Sequence, residues 1–351
     1  MDTLNASTII ITHELLNIIA ALDEFKGAWK ATGNIAPERL SALQRVATIE
    51  SAGSSTRIEG SFLSDSDVRR IHDNMAASSF GTQDEQDVAG YLDAMKKIYQ
   101  SWEHISLTED HIRELHRTVL RFSDKDEQQR GSWKTSQNIV AAFDENGRQI
   151  GIVCETATPS DTPRLMTELV GWTNTALETR ELHPLLVIGM FVVAFLAIHP
   201  FQDGNGRLSR ILTDLLLLRS GYAYTPCSSL ESVIESNQQG YYLALRLTQR
   251  TLRNGSPDWQ PWILFFLRSL QKQMQRLQKK MEYEHQLRAQ LPALSRRIME
   301  FASENDCVTV SRLVTLTGAS RNTIKKHLSH LAESQYLMIS GRGRGSRYIL
   351  R

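Results

Sequence analysis

His199-Pro200-Phe201-Gln202-Asp203-Gly204-Asn205-Gly206-Arg207-Leu208-Ser209-Arg210 decides how this chain is read. The fifteen residues before it, 184–198, form the most apolar run in the sequence. That run is short for a bilayer, which needs about 20 residues, so it predicts a buried core helix. Pro200 cannot continue that helix, and the chain must turn there. Phe201 is placed to plug the core and anchor the turn. Gly204 and Gly206 allow positive φ and a close approach to a ligand. Their N–H groups, with the start of a helix near Arg207, make an anion nest. Arg207 and Arg210 lie three apart on that helix, so two guanidinium forks can face the same phosphates. Asp203 is a hard oxygen ligand suited to Mg²⁺ or Mn²⁺ bridging phosphates. His199 is the residue of the turn that titrates near neutral pH, and so the natural base for a hydroxyl nucleophile.

Outward from this turn, helical spacing dominates. Residues 9–30 read as one helix and Pro37-Glu38 opens a second, which runs towards Gly53 or resumes through 54–60. Ser64-Asp65-Ser66-Asp67 reads as a helix cap, and 81–85 as a loop. Helices are expected over 88–102, 108–120, a segment beginning at 159–163, 185–198 and 207–218. One β element interrupts them: apolar 139–141 and 150–153 flank Asp144-Glu145-Asn146-Gly147, and Asn-Gly between two such runs predicts a hairpin. Residues 259–290 read as one long helix. Its Ile263, Leu267, Leu270, Met274, Leu277 and Met281 fall at heptad spacing. The seam either packs back on the body or serves a homodimer.

The 351 residues carry a net charge of +1, unevenly spread. Residues 291–351 hold ten basic side chains against four acidic ones, a local +6 that leaves −5 on the rest. Helix, helix-turn-helix and a basic glycine-rich hairpin follow one another there, a winged helix-turn-helix pattern that points to nucleic acid. Arg321, Asn322, Lys325 and Lys326 start the recognition helix, and Arg342 and Arg344 sit in the wing. A protein-binding winged helix with solvated charges is the alternative. Cys154, Cys227 and Cys307 are odd in number and far apart, which fits a reducing, cytoplasmic setting. The N-terminus lacks a basic signal region, and no membrane association is expected.

The twelve-residue turn resembles the Fic family signature, His-Pro-Phe-x-Asp-Gly-Asn-Gly-Arg-x-x-Arg, at every defined position. The likeness extends from about residue 5 to 270. It implies a mainly α chain: a Fic-type helical bundle with a small β-hairpin flap, here followed by a winged-helix domain. The divisions expected are an N-terminal helical region over 1–105, a catalytic core over 106–258, a connecting helix over 259–290 and the winged helix over 291–351. Family members move AMP from ATP to a Ser, Thr or Tyr hydroxyl of a protein. Carried over, the resemblance makes His199 the base and Asp203 the metal ligand. Gly204, Asn205 and Gly206 become the anion hole, while Arg207 and Arg210 hold the β- and γ-phosphates. Tyr241 and Tyr242 resemble the tyrosine pair near the adenine. The strand Gly151, Ile152, Val153 and Cys154 resembles the flap that docks an unidentified target protein by strand addition.

Ser55-Thr56-Arg57-Ile58-Glu59-Gly60 also matches the family's inhibitory pattern. Ser55 and Glu59 share a helix face. The resemblance implies that Glu59 pairs with Arg210 in a desolvated salt bridge and blocks the γ-phosphate site. In relatives the same glutamate can align a water that removes AMP. The function expected is therefore a self-inhibited protein adenylyltransferase that modifies itself among other targets. A DNA-binding regulator with a nucleotide-sensing Fic body, and transfer of another phosphoryl-linked group, are the alternatives.

Overall fold

The computed structural model describes residues 4–31, 37–76, 79–124, 127–143, 149–252, 256–303, 307–334, 336–341 and 346–350. The chain divides into two compact units, one of Met1–Ala31 with Val46–Met274 and one of Thr32–Arg45 with Gln275–Arg351.

The first unit is helical around one central element. In chain order it holds α1 (His13–Ala31), the part of α2 (Pro37–Ile58) from Val46 onward, α3 (Asp65–Asp73), α4 (Gln83–Ser101) and α5 (Glu109–Val119). The hairpin β1 (Ile139–Phe143) and β2 (Gln149–Glu155) follows. Then come α6 (Thr162–Thr179), α7 (Pro184–Ile198), α8 (Asn205–Arg219), α9 (Leu230–Glu235), α10 (Gln238–Leu252) and the first half of α11 (Gln260–Gln290). Thirteen of the fifteen residues of α7 are buried, so it has no polar face and can only be a core helix. It packs on α6, α8 and α10. A Cβ on Gly189 would meet Ile263 Cδ1 at 2.7 Å, so the glycine lets α11 approach α7 closely. Trp262 Nε1 donates to the Gly189 carbonyl at 2.7 Å across that contact.

Local chemistry explains most boundaries. Ser64 and Thr82 each close a capping box, with Asp67 and Glu85 as the reciprocal partners. Thr82 thus starts α4 inside the segment expected to be a loop. The helix α2 runs unbroken through Gly53, where a pause was expected. A Cβ there would come within 2.7 Å of Arg57 Nη1, so the glycine makes room for the Arg57 head group. The strands β1 and β2 pair antiparallel, with Ile139 opposite Glu155 and Phe143 opposite Gln149. The Asp144–Gly147 turn lies outside the described residues.

In the second unit, α12 (Ala293–Ser303), α13 (Val310–Thr317) and α14 (Arg321–Glu333) precede β3 (Leu337–Ser340) and β4 (Arg347–Leu350), an antiparallel pair. Gly318, at φ 72°, ends α13, and Ser320 caps α14. Ile298, Leu313, Ile324, Leu328 and Leu331 form its core. Along α11, Ile263, Leu267, Leu270, Met274 and Leu277 are buried within the single chain, which removes these seam positions as a dimer face. Among the described residues no helix is long and apolar enough to cross a membrane.

Candidate active site

The site is built where α7 stops and α8 begins. His199 is the C-cap of α7, in the left-handed region at φ 51° and ψ 63°, with its N–H bonded to the Phe195 carbonyl at 2.8 Å. Holding a non-glycine residue there costs about 1–2 kcal/mol. The conformation turns the imidazole out of the helix. Phe201 is fully buried and its ring stacks on His116 at 3.7 Å. Asn205 is buried as well: its Oδ1 accepts from Phe201 N–H at 2.9 Å and its Nδ2 donates to the Phe201 carbonyl at 2.7 Å. Its side chain thus clamps the turn. Gly204, at φ 75°, is the N-cap of α8 and offers no capping side chain. The first N–H groups of α8 are left to a ligand.

Both arginines lie in the first turns of α8 and both are buried, at 3% exposure for Arg207 and 4% for Arg210. Arg207 Nη1 pairs with Asp87 on α4, and Nη2 reaches Asp203 Oδ2 at 2.9 Å. Arg210 donates through Nε to Ser55 Oγ at 2.7 Å, and through Nη2 to the Ser55 carbonyl at 2.9 Å and Glu59 Oε1 at 2.7 Å. Burial, the largest influence, would favour a neutral Arg210, but the Glu59 charge and hydrogen bond together with Tyr241 and Tyr91 push the guanidinium pKa up. A Cβ on Gly206 would lie 2.1 Å from Glu59 Oε1. The carboxylate therefore rests against the bare face of Gly206, over the start of α8, where an anion is best held. The Arg210 side chain is 5% exposed and that of Glu59 40%, so the salt bridge is desolvated on its arginine side only. Solvent screening brings such a pair down to about 1 kcal/mol.

Two histidines frame the turn. His199 is half-buried, and burial first, then the Lys134 charge, depress its pKa to about 4. Its Nδ1 faces the Leu196 carbonyl at 3.4 Å. A carbonyl only accepts, so this nitrogen carries the proton and Nε2 keeps the lone pair. His116 is fully buried, and burial lowers its pKa to about 4. It accepts from Gly131 N–H at Nδ1, 2.9 Å, and donates from Nε2 to the Asp203 carbonyl, 3.0 Å. Those two bonds fix its tautomer and the backbone that carries Asp203.

Asp203 has a half-exposed side chain. Among the described residues no three His, Cys, Asp or Glu gather as a metal cage. One carboxylate beside an anion cradle suits an ion held chiefly by phosphates and water. Tyr241 is buried, with its ring 5.2 Å from that of Tyr242 and its hydroxyl near Arg210. Tyr242 Oη donates to the Ile58 carbonyl at 3.0 Å, at the end of α2. Gly151, Ile152, Val153 and Cys154 lie on β2, paired with β1. In the second unit, Arg321, Asn322, Lys325 and Lys326 are exposed along the start of α14, whereas Arg342 and Arg344 lie outside the described residues.

Residues 106–217 match the family model described as Fic/DOC. They are a Fic domain. The protein adenylyltransferase Fic of Culex quinquefasciatus is 31% identical over 186 residues, 52% of this chain and 34% of that protein. The protein of the same name from Drosophila melanogaster is 32% identical over 170 residues, 48% of this chain and 32% of that one. The chain thus spans about a third of the length of these curated relatives. A Fic domain containing signaling protein from Bacteroides thetaiotaomicron superposes with a TM-score of 0.58 at 25% identity, covering 75% of this chain and 97% of that one. A Fic family protein from Desulfovibrio desulfuricans shares the fold over 99% of this chain and 98% of its own, with a TM-score of 0.63 and 23% identity. The structure adds Asp87, His116 and Lys134 to the surroundings of the Fic signature. None carried a sequence signal, because each reaches the turn from at least 65 residues away.

Proposed function

We propose that this chain is a protein adenylyltransferase that moves AMP from ATP to a Ser, Thr or Tyr hydroxyl, its own included, and that Glu59 holds it off. The observation that carries this is the Glu59 carboxylate, seated on Gly206 at the head of α8 and paired with Arg210. A side-chain anion there marks the cradle as one built for an anionic group. With ATP in its place, Arg207 and Arg210 hold the outer phosphates and the α8 N–H groups of Gly204, Asn205 and Gly206 line the inner ones. His199 Nε2 takes the proton of the target hydroxyl. The hydroxyl oxygen bonds to the α-phosphorus as the bond to pyrophosphate breaks. Mg²⁺ or Mn²⁺ on Asp203 would neutralise charge on the phosphates. Tyr241 and Tyr242 border the nucleotide, and the β2 edge at 151–154 receives an extended target segment.

Incubation with α-labelled ATP and Mg²⁺ tests this. Glu59→Gly should label itself at least about tenfold faster than the wild type, the loss of a barrier contribution near 1.4 kcal/mol. His199→Ala in that background should abolish labelling. No gain in Glu59→Gly would remove the inhibitory role, and γ-label in place of α-label would replace AMP transfer with phosphorylation. Among the described residues only Oε1 of Glu59 is engaged, which leaves Oε2 to orient a water. That supports AMP removal as a second activity, read out as loss of label on adding wild-type protein. The exposed basic start of α14 supports contact of a winged-helix domain with DNA phosphates.

A further inference from the structure

Lys134 is buried, at 4% exposure, and among the described residues it has no carboxylate partner. Its ammonium donates to three neutral acceptors at 2.9 Å each: Asn138 Oδ1, Thr156 Oγ1 and the Ile198 carbonyl. Each acceptor has a place in the fold. Asn138 directly precedes β1, Thr156 directly follows β2, and Ile198 is the last residue of α7, next to His199. Two backbone bonds and one from a side-chain amide repeat the connection. Lys134 N–H donates to the Pro200 carbonyl at 2.8 Å, Ala157 N–H to the Ala197 carbonyl at 3.2 Å, and Asn138 Nδ2 to the Phe201 carbonyl at 2.8 Å. Thr156 Oγ1 in turn donates to the Asn138 carbonyl at 2.8 Å, closing the base of the hairpin.

We infer that Lys134 is a positioning residue for the transfer proposed above: its ammonium ties both ends of the β1–β2 hairpin to the carbonyl beside His199, and so fixes a strand docked on β2 at the distance the imidazole requires. Stability alone gives no reason for a cation at this point. A buried charge without a carboxylate partner is costly, and among the described residues three neutral acceptors and the negative end of α7 offset it. What the cation supplies is geometry. Three tetrahedral N–H donors reach three acceptors on three separate segments. An apolar side chain of equal size would leave the Ile198 carbonyl unmet and break the three-way link, although Gln137 Nε2 still reaches Thr156 Oγ1 and Thr156 Oγ1 still reaches Asn138 Oδ1. A planar guanidinium matches only some of the acceptors.

Four proteins test the idea in the Glu59→Gly background: the parent, Lys134→Met, Lys134→Arg and Thr156→Val. The readouts are self-labelling from α-labelled ATP and hydrogen exchange over the hairpin. In Lys134→Met we expect kcat to fall about a hundredfold, the cost of about 1 Å of misplacement, with the KM for ATP within about twofold of the parent. Lys134→Arg should recover most of the loss, because it keeps the charge and part of the fork. Hairpin amides of Lys134→Met should exchange about tenfold faster while those of α8 stay protected. The milder Thr156→Val should change both readouts in the same direction and guards against misfolding of the methionine variant. Equal kcat in the parent and Lys134→Met, or a parallel loss of ATP affinity and α8 protection, would overturn the inference. An unlabelled parent would instead overturn the transfer itself, and the exchange data would still report on the tether.

Discussion

At the scale of single residues, the turn between α7 and α8 was legible because its chemistry is contiguous. One base, one carboxylate, two glycines and two arginines fall within twelve positions. Its support was not legible. His116, Asp87 and Lys134 act through contacts between distant segments, and nothing in their own neighbourhoods distinguishes them from ordinary helix or loop residues. His116 offers a direct check. Its pKa is depressed from 6.5 in the unfolded chain to about 4 in the fold. Between those values the unfolded state binds a proton that the native state refuses, so stability falls as pH drops through that window. For one group the slope is about 1.4 kcal/mol per pH unit. Urea unfolding at pH 7 and pH 5 should therefore show a loss in the wild type about 2 kcal/mol larger than in His116→Gln. Parallel losses in the two proteins would place the proton elsewhere.

At the scale of elements, the apolar run of α7, the hairpin and the helix caps follow from local rules, and the sequence predicts them. Two boundaries needed tertiary information. The unbroken course of α2 through Gly53 depends on where the Arg57 head group lies, and α8 begins at Asn205 because that side chain clamps Phe201. The end of α2 is also fastened from the side. Arg57 Nε reaches Glu235 Oε1 at 2.5 Å and Nη2 reaches Oε2 at 3.1 Å, a bidentate pair between α2 and α9. Ser51 Oγ adds a 2.6 Å bond to the buried Glu231 of α9. These bonds hold Glu59 in register with Arg210. Removing the Arg57 partner by Glu235→Ala should loosen that register and raise self-labelling by up to about tenfold, corresponding to about 1.4 kcal/mol. Rates equal to wild type would mean that the Arg57–Glu235 pair does not set that register.

At the scale of the whole molecule, the mainly helical class and the two small hairpins could be read from periodicity and turn residues. The partition could not. The chain passes from one compact unit to the other at Arg45/Val46 in α2 and at Met274/Gln275 in α11, the latter inside the segment expected to be one connecting helix. A continuous heptad pattern carries no mark of where its burial changes hands. The basic balance of 291–351 does carry a consequence for binding. Affinity for a duplex of random sequence should drop steeply between about 50 and about 200 mM salt. Arg321→Ala and Lys325→Ala should each flatten the salt slope by about one. A duplex affinity indifferent to salt would count against the proposed DNA contact of the second unit. One last property follows if Glu59 blocks the cradle as proposed. The carboxylate against Gly206 and the guanidinium that receives it belong to the same polypeptide, so their effective concentration is fixed by covalent connection. Diluting the protein or raising its copy number would then leave the resting output of each molecule unchanged.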